Sequence, residues 1–309
     1  MRVSSNTYTN LMISTSQSDQ SQLATLQQQI STGQNIQFAS DNPLDYEQAA
    51  QTQTSLAQLN TYSTAASEAS DLTSTNNSAM TSLHQIVAQA SELATSVTTN
   101  MSASDLQAVG TQMSALVSQL TSIANQQSAN GNYLFGGTSN QPPITSAGAY
   151  NTATNGDETS IEVQPGNLVQ TSIVAGQPGP PPVDGFLYNS TSGVDVLASI
   201  KQTISDLNSG NATAVQTTDL PALNNALNLV SQYVGSTAAS MSAVQTASTS
   251  LQQQTAAQTD QLNTLTQTNL PDATLQLQQI QNQYQASLEA GSRILSMSLL
   301  NYIGSVPTT

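Results

Sequence analysis

The chain has 309 residues, a prior of about two domains and enough length to bury a sizeable core. Only 7% of the residues are charged, 18 acidic against 3 basic (Arg2, Lys201 and Arg293), for a formal net charge of -15, which excludes the clustered cations of a nucleic-acid groove. No cysteine is present, so disulfides, thiolate zinc sites and Cys nucleophiles are excluded, and no apolar run approaches the roughly 18 to 20 residues of a membrane-spanning helix.

The start, Met1-Arg2-Val3-Ser4, has no apolar segment behind it, so no cleaved secretory signal is visible. Leu23, Leu26 and Ile30 form a short helical seam ended by Gly33. Further on, Leu83, Val87, Ala90, Ala94 and Val97 make one stripe, and the Thr98–Met101 break separates it from a second helix. There Ser102, followed three residues later by Asp105, reads as a helix start. Leu106, Val109, Met113, Leu116, Leu120 and Ile123 then alternate spacings of three and four, a heptad seam with a predicted stop at Asn130-Gly131.

Residues 136–194 change character. They hold most of the prolines, including Pro142-Pro143 and Pro180-Pro181-Pro182. Asn155-Gly156-Asp157 reads as a turn into an alternating strand through Thr159, Ile161 and Val163, with Val169, Ile173 and Phe186 as further strand material.

Asp219 and Pro221 read as the cap and first-turn proline of a helix of about 48 residues, roughly 70 Å long. Its seam runs through Leu227, Val230, Val234, Thr237, Met241, Val244, Ser248, Leu251, Thr255, Gln258, Leu262 and Leu265. Asn269-Leu270-Pro271-Asp272 interrupts it. The last helix places Leu277, Ile280, Tyr284 and Leu288, then Gly291, Leu295, Leu299 and Tyr302 at an eleven-residue offset, a period that favours straight or right-handed packing. The stripes at both chain ends have no evident partner within one chain, which predicts self-assembly and mobile ends before it.

Catalytic signals are weak. His84 is the only histidine and lies beside a helical stripe; Asp41 and Asp45 sit in a turn with Asn42-Pro43; Asp157, Glu158 and Glu162 lack calcium-loop spacing. Gly136-Gly137 is not followed by the Lys of a phosphate loop. The expectation is a non-enzymatic protein without cofactor or metal.

Leu26-Gln27-Gln28-Gln29-Ile30-Ser31-Thr32-Gly33, followed by Ser40-Asp41-Asn42-Pro43, resembles the N-terminal signature of bacterial flagellins and their hook-associated relatives. Gly131-Asn132-Tyr133-Leu134-Phe135-Gly136-Gly137 is similar to the motif with which that family leaves its helical core. The ending Ser298-Leu299-Leu300-Asn301-Tyr302-Ile303 is similar to the hook–filament junction branch of the family more than to filament flagellins. Gln34 and Asn42 depart from the basic residue and second Asp usual at those positions.

The resemblance and the periodicity together predict a mainly α chain with a β-rich insert. A long antiparallel helical coiled-coil rod, formed by the N- and C-terminal halves, carries a small β domain in the middle. The expected division is terminal assembly segments at 1–45 and 272–309, a helical rod at 46–135 and 195–271, and a β-rich outer domain at 136–194. By resemblance the assembly interface comprises Leu23, Leu26, Ile30, Leu277, Ile280, Tyr284, Leu288, Leu295, Leu299, Tyr302 and Ile303, and the motif turns comprise Ser31, Thr32, Gly33, Asp41, Pro43, Gly136 and Gly137. It also implies a structural part of the extracellular flagellum at the hook–filament junction, exported by the type III route without signal cleavage. Its implied partners are further copies of itself in a ring or helix, hook-associated protein 1, flagellin and an export chaperone, with no nucleic acid and no membrane insertion. The alternatives are a flagellin filament subunit and a secreted coiled-coil adhesin.

Overall fold

The computed structural model describes residues 2–128, 130–139 and 141–303, with the backbone alone for 2–6, 8, 9, 294, 295 and 297–303. In chain order the elements are α1 (Arg2–Thr32), α2 (Pro43–Ser96), α3 (Ala103–Ala124), β1 (Ser160–Gln164), β2 (Asn167–Gln170), β3 (Tyr188–Asn189), β4 (Val194–Asp195), α4 (Val196–Asn208), α5 (Ala212–Ala214), a π-helical turn (Val215–Asp219), α6 (Leu220–Thr266) and α7 (Leu270–Ile303). The chain is mainly helical with a β-containing midsection, as the periodicity predicts. It divides into two compact units, Gln58–Gln254 and the pair Met1–Ala57 with Thr255–Thr309.

In the first of these units, α2 and α6 pair antiparallel. Gln216 Nε2, just before α6, donates to the Val97 carbonyl (2.7 Å), Ser91 Oγ donates to Asn224 Oδ1 (2.9 Å), and Thr237 Oγ1 donates to Asn77 Oδ1 (3.3 Å). As the number falls on one helix it rises on the other. The same register brings Ala66 and Ala69 of α2 to Val244, Ala247 and Leu251 of α6. At the other end Met80, Leu83, Val87 and Ala90 meet Leu223, Ala226 and Val230, with Met113, Leu116 and Leu120 of α3 and Ile200 and Leu207 of α4.

The predicted seams hold with three corrections. First, α3 starts where expected, with Ser102 Oγ accepting from the Asp105 amide (3.2 Å), but ends at Ala124 rather than at Asn130-Gly131. The Asn125 side chain diverts the chain there, accepting from the Ile144 amide (2.9 Å) and donating to its carbonyl (2.7 Å). Second, Asp219 is not a helix cap. The helix opens at Ala212, capped by Asn211, and reaches α6 through the π turn, whose Leu220 amide bonds to the Val215 carbonyl five residues back. Pro221 follows at once, and since it has no N–H to donate, the extra residue of the π turn falls where the ladder is already broken. Third, Met241 stands 38% exposed, and burial passes through Thr237, Val244 and Ala247 instead.

The midsection contains two small antiparallel hairpins. One pairs Ser160 with Gln170 and Ile161 with Val169; the other pairs Tyr188 with Asp195 and Asn189 with Val194. Val163 and Val169 are buried as the alternation predicts, but Ile173 and Phe186 lie outside strands. Phe186 N donates to Val174 O (3.3 Å), flanked by irregular bonds from Ala175 N to Phe135 O (3.0 Å) and from Leu187 N to Ala175 O (2.8 Å). Phe135 and Phe186 meet edge to face at 4.8 Å and join the helical core directly. Tyr150 reaches Asp195 Oδ1 (2.7 Å), which also caps α4 by accepting from the Ala198 amide (2.8 Å). Burial and the Asp195 charge hold the Tyr150 phenol well above its ordinary range.

The exposed helix faces carry Thr and Ser hydroxyls that return to their own backbone. Thr64, Thr81, Thr111, Thr246 and Thr259 each donate to the carbonyl four residues earlier, at 2.7–3.0 Å.

Core identity therefore governs stability. Met113→Ala, at a fully buried site, should cost about 2–5 kcal/mol in urea unfolding, while Leu168→Ala, 66% exposed on β2, should change it by under about 0.5 kcal/mol. Equal effects would contradict this assignment of the core.

Candidate assembly interface

The terminal unit is built on α1 and α7. On α1 the inward positions are Met12, Ser16, Asp19, Leu23, Leu26 and Ile30, and on α7 they are Ala273, Leu277, Ile280, Tyr284, Ser287 and Gly291. Both sets step by four and three residues in alternation. Asp19, Leu26, Ala273 and Gly291 are buried and the rest half-buried. Two observations fix the direction. At one end Gly33 O accepts from the Thr268 amide (2.9 Å) and the Asn35 amide donates to Thr266 O (2.7 Å); at the other, Met12 lies so close to Gly291 that an added Cβ would sit 2.0 Å from its Cε. The helices are antiparallel, and matching steps from Met12 and Gly291 bring Asp19 level with Tyr284, Leu23 with Ile280 and Leu26 with Leu277.

This corrects the expectation that the terminal stripes lack partners within one chain: they partner each other. It also corrects the eleven-residue reading, since as far as Gly291 the inward positions of α7 keep the 3.5-residue period of a left-handed pair. Leu288 falls off that period and is 49% exposed, its expected place taken by Ser287. The side chains of Leu295, Leu299, Tyr302 and Ile303 lie outside the described residues.

Residues 3–140 match the family model of the bacterial flagellin N-terminal helical region. Among solved structures, a putative flagellar hook-associated protein from Vibrio parahaemolyticus is 16% identical, with a TM-score of 0.57 over 74% of this chain and 97% of that one. Bacillus cereus FlgL is 17% identical, with a TM-score of 0.56 over 69% of this chain and 99% of that one. The flagellar junction protein FlgL from Legionella pneumophila is 13% identical, with a TM-score of 0.56 over 71% of this chain and 100% of that one. The chain thus has an FlgL-like fold. No curated protein matches it.

The motif turns of the matched segment have local causes. Gly33 takes φ 71°, a left-handed conformation that ends α1 at little cost. Thr32 Oγ1 donates to Gln28 O (2.9 Å) and accepts from the Gln34 amide (3.3 Å); Ser31 is exposed. Asp41 Oδ2 accepts from the Gln37 (3.1 Å) and Phe38 (2.9 Å) amides, which hold its carboxyl below the usual range and close the loop before α2. Asn42 Oδ1 accepts from the Asp45 amide (3.3 Å) and Pro43 opens the helix, a position where its missing N–H costs nothing. At the far end of the segment, a Cβ on Gly136 would lie 2.6 Å from Gln141 O, and one on Gly137 within 2.8 Å of the Asn155 and Asp157 carbonyls.

Sequence reasoning missed Met12, Ser16, Asp19, Ala273 and Ser287; Ser16, Asp19 and Ser287 carry no apolar signal, but the heptad step back from Leu23, Leu26 and Ile30 reaches Ser16, Asp19 and Met12. Among the described residues no cluster of three or more His, Asp or Glu side chains is arranged to hold a metal, and no helix is long and apolar enough to cross a membrane.

Asp19 marks the weak point of the α1–α7 seam, since its Oδ2 is buried without a hydrogen-bond donor. Asp19→Leu should stabilise the pair by about 1–3 kcal/mol by removing that orphaned acceptor, read as slower amide hydrogen exchange in α1 and α7. Faster exchange would contradict the heptad register.

Proposed function

We propose that the chain is a structural subunit of the bacterial flagellum, a hook-associated protein 3 that joins the hook to the filament. The observation that carries this reading is the pairing of α1 with α7 at the two ends of a chain with an FlgL-like fold. That pair seals only one narrow seam. Leu11 (61% exposed), Ile13 (52%), Leu275 (64%) and Leu288 (49%) stand on its outside, and Phe38 (60%) and Leu44 (64%) stand beside the loop that leaves α1. Large apolar side chains at this density on so small a unit suit burial against further copies. In this reading α1 and α7 form the assembly segment, including the expected positions at Leu295, Leu299, Tyr302 and Ile303. Residues 58–254 carry the helical pair and the hairpins.

The proposed neighbours are further copies of the chain, hook-associated protein 1 on the hook side and flagellin on the filament side. The proposed location is extracellular, at the hook–filament junction, after type III export without a cleaved signal, with a chaperone covering α7 beforehand. A filament flagellin is the second reading, favoured by the family match of residues 3–140. The full coverage of hook-associated structures weighs against it, as each of the three is spanned over 97–100% of its length.

Deletion of the gene separates the two. A junction subunit predicts intact hooks, no filaments and flagellin shed into the medium; full-length filaments on the deletion strain would sink the proposal.

A further inference from the structure

We propose that the cavity bounded by α2, the loop 128–139 and the β1–β2 hairpin binds a neutral saccharide. It encloses about 400 Å³, within the range of small-ligand sites, and lies wholly inside the unit Gln58–Gln254. The proposal does not rest on the assembly reading of α1 and α7.

Three elements supply the walls. Glu68, Leu72 and Asn76 follow one another at steps of four and so share one face of α2. Thr159 and Ile161 come from the start of the hairpin and Thr171 and Ser172 from its end, while the loop brings Asn130, Asn132 and Tyr133. These walls are held without a ligand. Asn76 Nδ2 donates to the Thr171 carbonyl (2.6 Å), tying α2 to the hairpin, and Ser172 Oγ accepts from the Thr159 amide (2.6 Å), closing the base of the hairpin. Asn155 pins the loop: its Nδ2 donates to Thr138 Oγ1 (2.6 Å) and its Oδ1 accepts from the Ser139 amide (3.2 Å). A site fixed in this way loses little further freedom on binding.

In a chain so rich in Ser, Thr and Asn, polar walls alone would say little. What distinguishes the cavity is which polar groups are uncommitted. The side chains of Glu68 on α2 and of Asn130 and Asn132 on the loop are exposed, and none of them hydrogen-bonds to another described residue. A carboxylate offers acceptors alone, whereas a side-chain amide offers donors and an acceptor. Sugar hydroxyls, each a donor and an acceptor at once, answer that mixture, and Leu72, Ile161 and Tyr133 give apolar surface to the C–H groups of a ring. Asn76 adds a buried acceptor: it is only 3% exposed, and its Oδ1 receives no hydrogen bond. A ligand that brings hydroxyl donors suits it.

Other ligand classes fit less well. An anion meets the Glu68 carboxylate, an ammonium leaves the amide donors unanswered, and an apolar molecule displaces water from these groups without replacing its hydrogen bonds. The groove between α6 and the β3–β4 hairpin is larger but lacks the pattern. There Asn189 Oδ1 accepts from the Ser192 amide (2.8 Å) and Thr191 Oγ1 donates to Asp184 Oδ2 (3.3 Å), so that wall is already committed. Because every hydrogen bond to the sugar replaces one to water, the expected affinity is weak, in the millimolar range.

The test is amide NMR of the full chain titrated in turn with maltose, cellobiose and chitobiose, three neutral disaccharides. At least one should give saturable shifts concentrated at residues 130–139, 159–161 and 171–172. Glu68→Gln and Asn132→Ala, both at exposed positions that the fold does not need, should each weaken that binding about tenfold. Glu92→Gln, at an exposed carboxylate elsewhere on α2, should leave it unchanged. No saturable shift with any of the three sugars, shifts spread over the whole surface, or binding indifferent to Glu68 and Asn132 would overturn the proposal.

Discussion

The antiparallel pairing of α2 with α6 is the constraint on which the rest of this structure depends. At 54 and 47 residues and rich in Ser, Thr and Asn, which are modest helix formers, these helices draw most of their stability from packing. Between Ala66 and Ala94 of α2 and Leu223 and Leu251 of α6 each buries apolar residues of the other, and α3, α4 and the hairpins share that core. Apolar contact does most of this at the Met80–Val97 end, where α3 and α4 thicken the core. Toward Ala66 and Leu251 the contact narrows to small residues, and the β1–β2 hairpin covers the gap with Val163 and Val169.

The scarcity of charge shapes how the exposed faces are solved. Long solvent-facing helices usually carry Glu–Lys pairs three or four residues apart. With three basic residues in the whole chain that route is closed, and hydroxyls bonded to their own backbone take its place. Such bonds are neutral, so salt has little to screen. A fold built this way should lose little stability with ionic strength.

Much of this was legible in the sequence where apolar residues repeat. The stripe from Leu83 to Val97, the seam from Leu106 to Leu120 and the break at Thr98–Met101 appear as hydropathy and punctuation alone predict, while the interruption expected at Asn269–Asp272 falls at residues 267–269, with Pro271 in the first turn of α7. What escaped was decided by polar groups acting at a distance. The end of α3 depends on Asn125 meeting Ile144, nineteen residues away. The continuation of α6 back to Ala212 depends on a π turn that no propensity encodes. The partnership of α1 with α7 within one chain escaped for another reason: their inward positions include Ser16, Asp19, Ser287 and Gly291, so the apolar stripes of Leu23–Ile30 and Leu277–Tyr284 are too short to point to each other.

That pair is also where the proposed function rests. A terminal unit sealed along one thin seam, with Leu11, Ile13, Leu275 and Leu288 outside it, is incompletely buried by itself and suited to completion by neighbours. The region of hairpins and irregular backbone, by contrast, shares its core with the helices and needs no neighbour to be buried. The most direct measurement is immunogold electron microscopy of intact flagella with antibody against this chain. A junction subunit predicts a single labelled band where hook meets filament; label distributed along the filament, or absent from the flagellum, would contradict the account.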